Sequence, residues 1–188
     1  MSLTLRLELP DWAQALEDST PCFGDDLGKM RFTIDLARRN VDTDSGGPFG
    51  AALFERATGR LLSLGVNSVI RLQSSVLHAE MLALMRAQQR LGRYSLRLDG
   101  QPDCELFSSC EPCAMCLGGI LWSGVRRLVC AAGAAEARAI GFDEGPVFAA
   151  SYAHLQQAGI EISRGLLADE AGAVIRAYRQ RGGPLYNG

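Results

Sequence analysis

Two short motifs combine the residue types that bind transition metals. His78-Ala79-Glu80 opens one run of helix-forming residues, and Pro112-Cys113-Ala114-Met115-Cys116 opens another. Two cysteines on one helical turn point the same way, and a histidine at the start of a neighbouring helix can complete a set of three zinc ligands. Three protein ligands leave a fourth position for water, as in catalytic zinc sites. We therefore predict that His78, Cys113 and Cys116 bind one Zn²⁺ ion.

The residues around these ligands favour a catalytic metal site over simpler explanations. Glu80 lies two residues after His78, where it can reach a zinc-bound water without binding the metal. The helix dipole at Cys113 and Cys116 favours the thiolate form that zinc needs. A redox pair or two buried thiols are the alternatives, but neither needs His78 or Glu80. The remaining cysteines are predicted to be packing residues of strands or loops: Cys22, Cys104, Cys110 and Cys130.

Hydrophobic periodicity and turn residues predict the elements that position these motifs. Helices are predicted at residues 25–40, 78–90, 113–123, 134–140, 148–157 and 169–181, and strands at residues 3–9, 49–55, 61–69, 105–109, 125–131 and 159–163. This order predicts an α/β fold, a three-layer α/β/α sandwich around a central mixed sheet of about five strands. Residues 1–20 are expected to form an N-terminal extension, and residues 21–188 the domain that carries the chemistry.

Composition limits the classes of protein to which the chain can belong. Of 188 residues, 47% are hydrophobic and 21% are charged, which excludes a disordered or collagen-like chain. The net charge of −2 makes nucleic acid an unfavoured partner. No segment has the apolar core of a signal peptide or the 18 apolar residues of a membrane span. We therefore expect a cytoplasmic protein without a membrane partner, whose six cysteines do not form a disulfide framework.

The paired motifs also support a resemblance to a known family. H-x-E followed by P-C-x-x-C is typical of zinc-dependent nucleobase deaminases. Over about residues 22–188 the chain resembles the cytidine-deaminase-like superfamily. Several segments are more narrowly similar to bacterial guanine deaminases: residues 48–51, Asn67, residues 109–118, residues 120–122 and residues 139–144.

This resemblance implies a reaction and a role for particular residues. The reaction is the zinc-dependent hydrolysis of guanine to xanthine and ammonia. The implied proton-transfer groups are Glu80 and Glu144, and the implied substrate contacts are Asn67 on the base edge, Phe49 on the ring, Tyr186 closing the pocket, and Ala79, Trp122 and Asp143. The resemblance also implies a homodimer with the site near the contact. The apolar helix at residues 115–122 is suited to burial or to a subunit interface.

Three other functions remain open from the residues alone. A tRNA wobble adenosine deaminase shares the zinc core but needs a basic surface, which these arginines could supply: Arg93, Arg97, Arg126, Arg127, Arg176, Arg179 and Arg181. A cytosine or cytidine deaminase also shares the core, but gives Gly141-Phe142-Asp143-Glu144 no role. A non-enzymatic zinc module for partner binding would need a fourth protein ligand, for which Cys110 is the nearest cysteine, and would give Glu80 no function.

Overall fold

The computed structural model of the protein describes residues 7–97 and 100–187. These residues form the helices α1 (Asp11–Asp18), α2 (Asp26–Asp42), α3 (Ala79–Leu91), α4 (Ala114–Ser123), α5 (Ala134–Ile140), α6 (Ala149–Gln157) and α7 (Ala168–Gln180), and the strands β1 (Gly50–Glu55), β2 (Leu61–Val66), β3 (Cys104–Cys110), β4 (Arg127–Ala132) and β5 (Glu161–Ser163). Every element predicted between residues 25 and 181 is present, and its ends lie within three residues of the prediction.

The five strands form one mixed sheet in the order β2-β1-β3-β4-β5. Strand β1 is antiparallel to β2 and β3, whereas β3, β4 and β5 are parallel to one another. Helices α1, α2, α5 and α7 contribute to the hydrophobic core on one face of the sheet, and α3, α4 and α6 to the core on the other. Because both faces are covered, every residue of β3 is buried. The predicted three-layer α/β/α sandwich is confirmed.

A glycine lets α3 lie directly against the edge strand of the sheet. A Cβ atom on Gly65 of β2 would lie 2.1 Å from the backbone oxygen of Ala79, the first residue of α3. Any larger residue would push this end of the helix away from the sheet. The contact therefore determines where His78, the N-cap of α3, is held.

Helix α1 was not predicted from the sequence. It has only eight residues, but Leu9 and Ala13 of this segment are buried in the core. The Glu17 side chain accepts a hydrogen bond from the Leu64 backbone N–H at 3.0 Å, so α1 covers the outer edge of β2. Of the strand predicted at residues 3–9, residues 3–6 lie outside the described residues, and the prediction is wrong for residues 7–9, which form no strand.

Strand β2 ends three residues earlier than predicted, because the oxygen of Asn67 is bound outside the sheet. The Asn67 N–H still donates to the Phe49 oxygen at 3.0 Å, in register with β1 and β2, but the Phe49 N–H donates to Gly47 and the Asn67 oxygen accepts from Asn40 Nδ2 at 3.0 Å. The chain therefore leaves the sheet at Asn67 and places this side chain beside the start of α3.

Candidate active site

The predicted metal ligands converge at the start of two helices. His78 is the N-cap of α3 and Cys113 is the N-cap of α4, while Cys116 lies one turn into α4. His78 Nδ1 lies 3.5 Å from Cys113 Sγ and 3.6 Å from Cys116 Sγ. Within the described residues these three form the one cluster of His, Cys, Asp and Glu side chains suited to a metal ion.

The spacing and chemistry of these ligand atoms fit zinc. Tetrahedral zinc with Zn–N and Zn–S bonds of about 2.1 and 2.3 Å requires N···S separations of about 3.6 Å, which the site already has. Hydrogen bonds from Cys116 and His78 lower the pKa of Cys113 to about 4, so that this ligand is a thiolate at neutral pH. A zinc site is formed by His78, Cys113 and Cys116.

Glu80 lies on the first turn of α3, directly after the histidine ligand. Its side chain is only 6% exposed and lines the same cavity as His78 and Cys113. Ser108 Oγ, from β3, donates a hydrogen bond to Glu80 Oε1 at 3.3 Å. Burial, together with the negative charge of Cys113, raises the pKa of Glu80. A carboxyl group in this environment accepts a proton more readily than one in water.

Glu144 supplies a second carboxyl group to the cavity. It is 6% exposed, and its backbone oxygen accepts a hydrogen bond from the Ala114 N–H at 3.0 Å, which ties it to the start of α4. Burial, with the charges of Cys113 and Glu80, raises its pKa to about 7. The neighbouring Asp143 lies outside the cavity, at its mouth, where its carboxylate accepts from the Gly145 N–H at 2.8 Å.

Three of the implied substrate contacts form walls of the cavity. Asn67 is 1% exposed, and its side-chain amide faces the buried Tyr186 hydroxyl. The rings of Phe49 and Tyr186 both pack against Phe142, with centroid distances of 5.2 and 4.9 Å. A Cβ atom on Gly47 would lie 2.2 Å from the Tyr186 hydroxyl oxygen, so this glycine allows the tyrosine to enter.

The cavity is closed in this conformation by residues 182–187, which we call the closing segment. Its volume is about 20 Å³, enough for about one water molecule. Asn187 of the closing segment holds Asp143 through two hydrogen bonds of 2.9 Å, one between backbones and one from its own Nδ2. In this conformation the cavity is too small for a base, and Tyr186 and Asn187 are the wall residues that the closing segment contributes.

The other two implied substrate contacts lie away from the cavity walls. The side chain of Ala79 is fully buried in the core between α3 and the sheet. Trp122 lies near the end of α4 and is 80% exposed. Its position on the outer surface of α4 does not place it against the ligand atoms within this chain.

The structure also places residues at the site that sequence reasoning missed. Cys110 and Glu111 line the cavity, as does Asn187. Glu111 Oε2 accepts from the Ala134 N–H at 3.0 Å, which ties the segment before Cys113 to the start of α5. The adjacent Pro-Cys motif is the one sequence signal that could have indicated Glu111.

The metal ligands lie in a part of the sequence that matches a known protein family. A family model described as the cytidine and deoxycytidylate deaminase zinc-binding region matches residues 25–132, which include all three metal ligands. The chain belongs to this deaminase family. All six cysteines are free: of the four predicted to be packing residues, Cys104, Cys110 and Cys130 are buried in strands, whereas Cys22 is exposed. Among the described residues, no helix is long and apolar enough to cross a membrane.

Within the deaminase family, guanine deaminases are among the similar proteins. A solved guanine deaminase from Nitrosomonas europaea is 42% identical, with a TM-score of 0.92 over 96% of this chain and 98% of that chain. A solved protein in complex with 2,6-diaminopurine is also 42% identical, with a TM-score of 0.93 over 98% of this chain and 97% of that chain. The guanine deaminase of Bacillus subtilis (strain 168) is 35% identical over 63% of this chain and 72% of its own length.

Proposed function

We propose that the protein hydrolyses guanine to xanthine and ammonia. The observation that carries this proposal is the arrangement of one His/Cys/Cys zinc site and two buried carboxyl groups around a single closed cavity. The likeness to a guanine deaminase from Nitrosomonas europaea, at 42% identity over nearly the full chain, supports guanine as the substrate. Zinc, when bound, lowers the pKa of water and supplies a nucleophile at neutral pH.

Glu80 is the group that moves the first proton. Its raised pKa and its position beside His78 allow it to take a proton from water and deliver it to the ring nitrogen next to the carbon under attack. The Ser108 hydroxyl holds the carboxyl group in place for both transfers. A positioned proton-transfer group of this kind contributes about 10²–10⁴ in rate.

Glu144, the second carboxyl group of the cavity, assists departure of the amine. With its pKa raised to about 7, a large fraction of this group carries a proton at neutral pH and can donate it to the leaving nitrogen. The two carboxyl groups face one cavity, and the negative charge of Glu80 contributes to the raised pKa of Glu144. This mutual repulsion favours a state in which only one of them is ionised.

The cavity walls provide recognition of a flat, polar base. Asn67 Nδ2 is a buried donor that faces the Tyr186 hydroxyl, and a carbonyl oxygen or ring nitrogen of the base accepts from it once Tyr186 makes room. Phe49 provides an aromatic wall for the ring, and Tyr186 closes the cavity behind it. Asp143 acts through the closing segment, which it holds in place.

The quaternary structure and location belong to the same proposal. Trp122 and Phe148 are 80% and 64% exposed, and such large exposed aromatic side chains are typical of an interface. We infer a homodimer that covers the outer surface of α4. Two cysteine ligands that must stay reduced agree with a cytoplasmic location.

The alternative functions fit the structure less well. Four of the seven arginines proposed for a tRNA-binding surface form salt bridges with carboxylates, which reduces their charge towards a polyanion: Arg126, Arg127, Arg176 and Arg181. A structural zinc module requires a fourth protein ligand, but Cys110 is outside the metal cluster, and its thiol faces the Gly133 oxygen at 3.8 Å.

A substrate panel tests the proposal. The zinc-loaded protein is incubated with guanine, guanosine, adenine, cytosine, cytidine and a tRNA with adenosine at its wobble position, and ammonia release is measured. We expect rapid release from guanine alone. Activity on tRNA or on cytosine and cytidine, without activity on guanine, would retain the zinc chemistry and reject guanine as the substrate.

A further inference from the structure

Asn187, in the closing segment, is held in one orientation by a neighbouring backbone. Its Nδ2 donates to the Asp143 backbone oxygen at 2.9 Å, and its backbone oxygen accepts from the Asp143 N–H at 2.9 Å. A flip of the amide would bring two oxygens together. The direction in which Oδ1 points is therefore determined before any substrate binds.

The Oδ1 atom of Asn187 is a buried acceptor without a donor. Asn187 lines both the inner cavity and its mouth. Among the polar atoms of this cavity, Asn67 Nδ2 and Tyr186 Oη face each other, whereas none of the described residues donates to Asn187 Oδ1. A buried acceptor without a donor is costly, which indicates that a ligand satisfies Oδ1.

We propose that Asn187 Oδ1 accepts a hydrogen bond from a ring N–H of the purine base, on the edge that faces the cavity mouth. This inference rests on the proposed guanine deaminase function. The closing segment then binds the base through a specific hydrogen bond as well as covering it. A base that carries a methyl group or a sugar at that nitrogen has no proton to donate and leaves Oδ1 unpaired. The closing segment would in this way select a free base over its N-substituted forms.

The test separates recognition by Asn187 from its role in holding the closing segment. Values of kcat/KM are measured for guanine and for its 1-methyl, 7-methyl and 9-methyl forms, in the zinc-loaded wild type, in Asn187→Ala and in Leu185→Ala. Leu185 packs near Gly141 and contributes only an apolar contact, so its variant is the control for a loosened segment.

We expect the wild type to prefer guanine over at least one methylated base by about 10- to 100-fold, the effect of one buried acceptor left unpaired. Asn187→Ala should lower kcat/KM for guanine by a similar factor. Its kcat/KM for that methylated base should stay within about twofold of the wild-type value. Leu185→Ala should lower kcat/KM for all four bases by one common factor. If Asn187→Ala also lowers kcat/KM for every base by the same factor, the residue only anchors the segment and the proposal is overturned.

A binding measurement keeps this inference distinct from the proposed function. Titration calorimetry with 2,6-diaminopurine is expected to give about 10- to 100-fold weaker binding to Asn187→Ala than to the wild type. A wild type that binds the base but releases no ammonia from guanine would reject the proposed function alone. A wild type that turns over guanine, with Asn187→Ala equal to it in both assays, would reject the role of Asn187 alone.

Discussion

Two regions of the molecule bury glutamate side chains almost completely, but they shift the pKa of these side chains in opposite directions. Glu17 on α1 is 1% exposed, and Glu80 and Glu144 in the cavity are each 6% exposed. Burial by itself raises the pKa of all three. At Glu17, hydrogen bonds from Arg86 and the Leu64 N–H outweigh burial and lower the pKa.

At the cavity glutamates the stabilising contacts, such as the Ser108 hydroxyl on Glu80 and the charge of His78, are too weak to offset burial. Neither forms a salt bridge within the described part of the chain, and both lie near the negative charge of Cys113. Their pKa values are therefore raised, to about 7 for Glu144. The comparison shows that the same residue type stabilises the fold where arginines pair with it and becomes available for proton transfer where no arginine does.

The largest expected effect is on catalysis at Glu80. We expect Glu80→Ala to lose about 10³- to 10⁴-fold in guanine turnover, because proton transfer to and from water is lost. Zinc content should stay at one ion per chain, since Glu80 is not a ligand. Ammonia release and metal analysis measure both quantities. A fully active Glu80→Ala protein would contradict the role assigned to this residue.

The second effect is on stability at Glu17. Glu17→Ala removes the carboxylate shared by Arg86, Arg90 and the Leu64 N–H, of which Arg86 keeps other acceptors. We expect the free energy of unfolding to fall by about 3–5 kcal/mol. Urea denaturation gives this value. The control is Glu136→Ala, which breaks an exposed salt bridge with Arg176 and should cost less than about 1 kcal/mol. If both variants lose the same free energy of unfolding, the buried interactions of Glu17 stabilise the fold no more than an exposed salt bridge does.

The third effect sharpens the contrast at Glu144. Glu144→Gln retains the shape of the side chain but cannot donate a carboxylic proton, so we expect a loss of about 10²-fold in guanine turnover. Its stability at neutral pH should equal or exceed that of the wild type, because the folded state disfavours the charged carboxylate there. Thermal unfolding and ammonia release are measured on one preparation. Unchanged turnover would mean that Glu144 is only part of a structural turn and has no role in proton transfer.

The smallest effect concerns acid stability. The pKa of Glu17 is lowered from its ordinary value of 4.5, so its contribution to stability is fully present above about pH 4.5 and is lost as the pH falls through the folded pKa. The wild type should therefore lose more stability between pH 7 and pH 3 than Glu17→Gln does. Urea denaturation at several pH values measures the difference. Parallel pH profiles for the two proteins would argue against an ionised Glu17.

Local patterns were sufficient for most of the fold. Helices α2 to α7 and all five strands follow from periodicity, caps and turns, as at Asp25, whose side chain accepts from the Gly28 N–H at the start of α2. Helix α1 was missed because its eight residues are stabilised by distant contacts, such as that between Glu17 and Leu64. The end of β2 was misplaced because the side chain of Asn40, distant in the chain, binds the Asn67 oxygen and ends its pairing with the neighbouring strand.

Local spacing in the sequence was enough to predict the metal ligands and the order of the elements. Cys113 and Cys116 are brought together by one helical turn, and His78 needs only to begin the neighbouring helix. The tertiary structure alone decided the opposite ionisation of Glu17 and Glu144, the exposure of Trp122 and the approach of Asn187 to the cavity. The physical reason is that spacing along a helix is local, whereas burial and charge depend on partners that are distant in the chain.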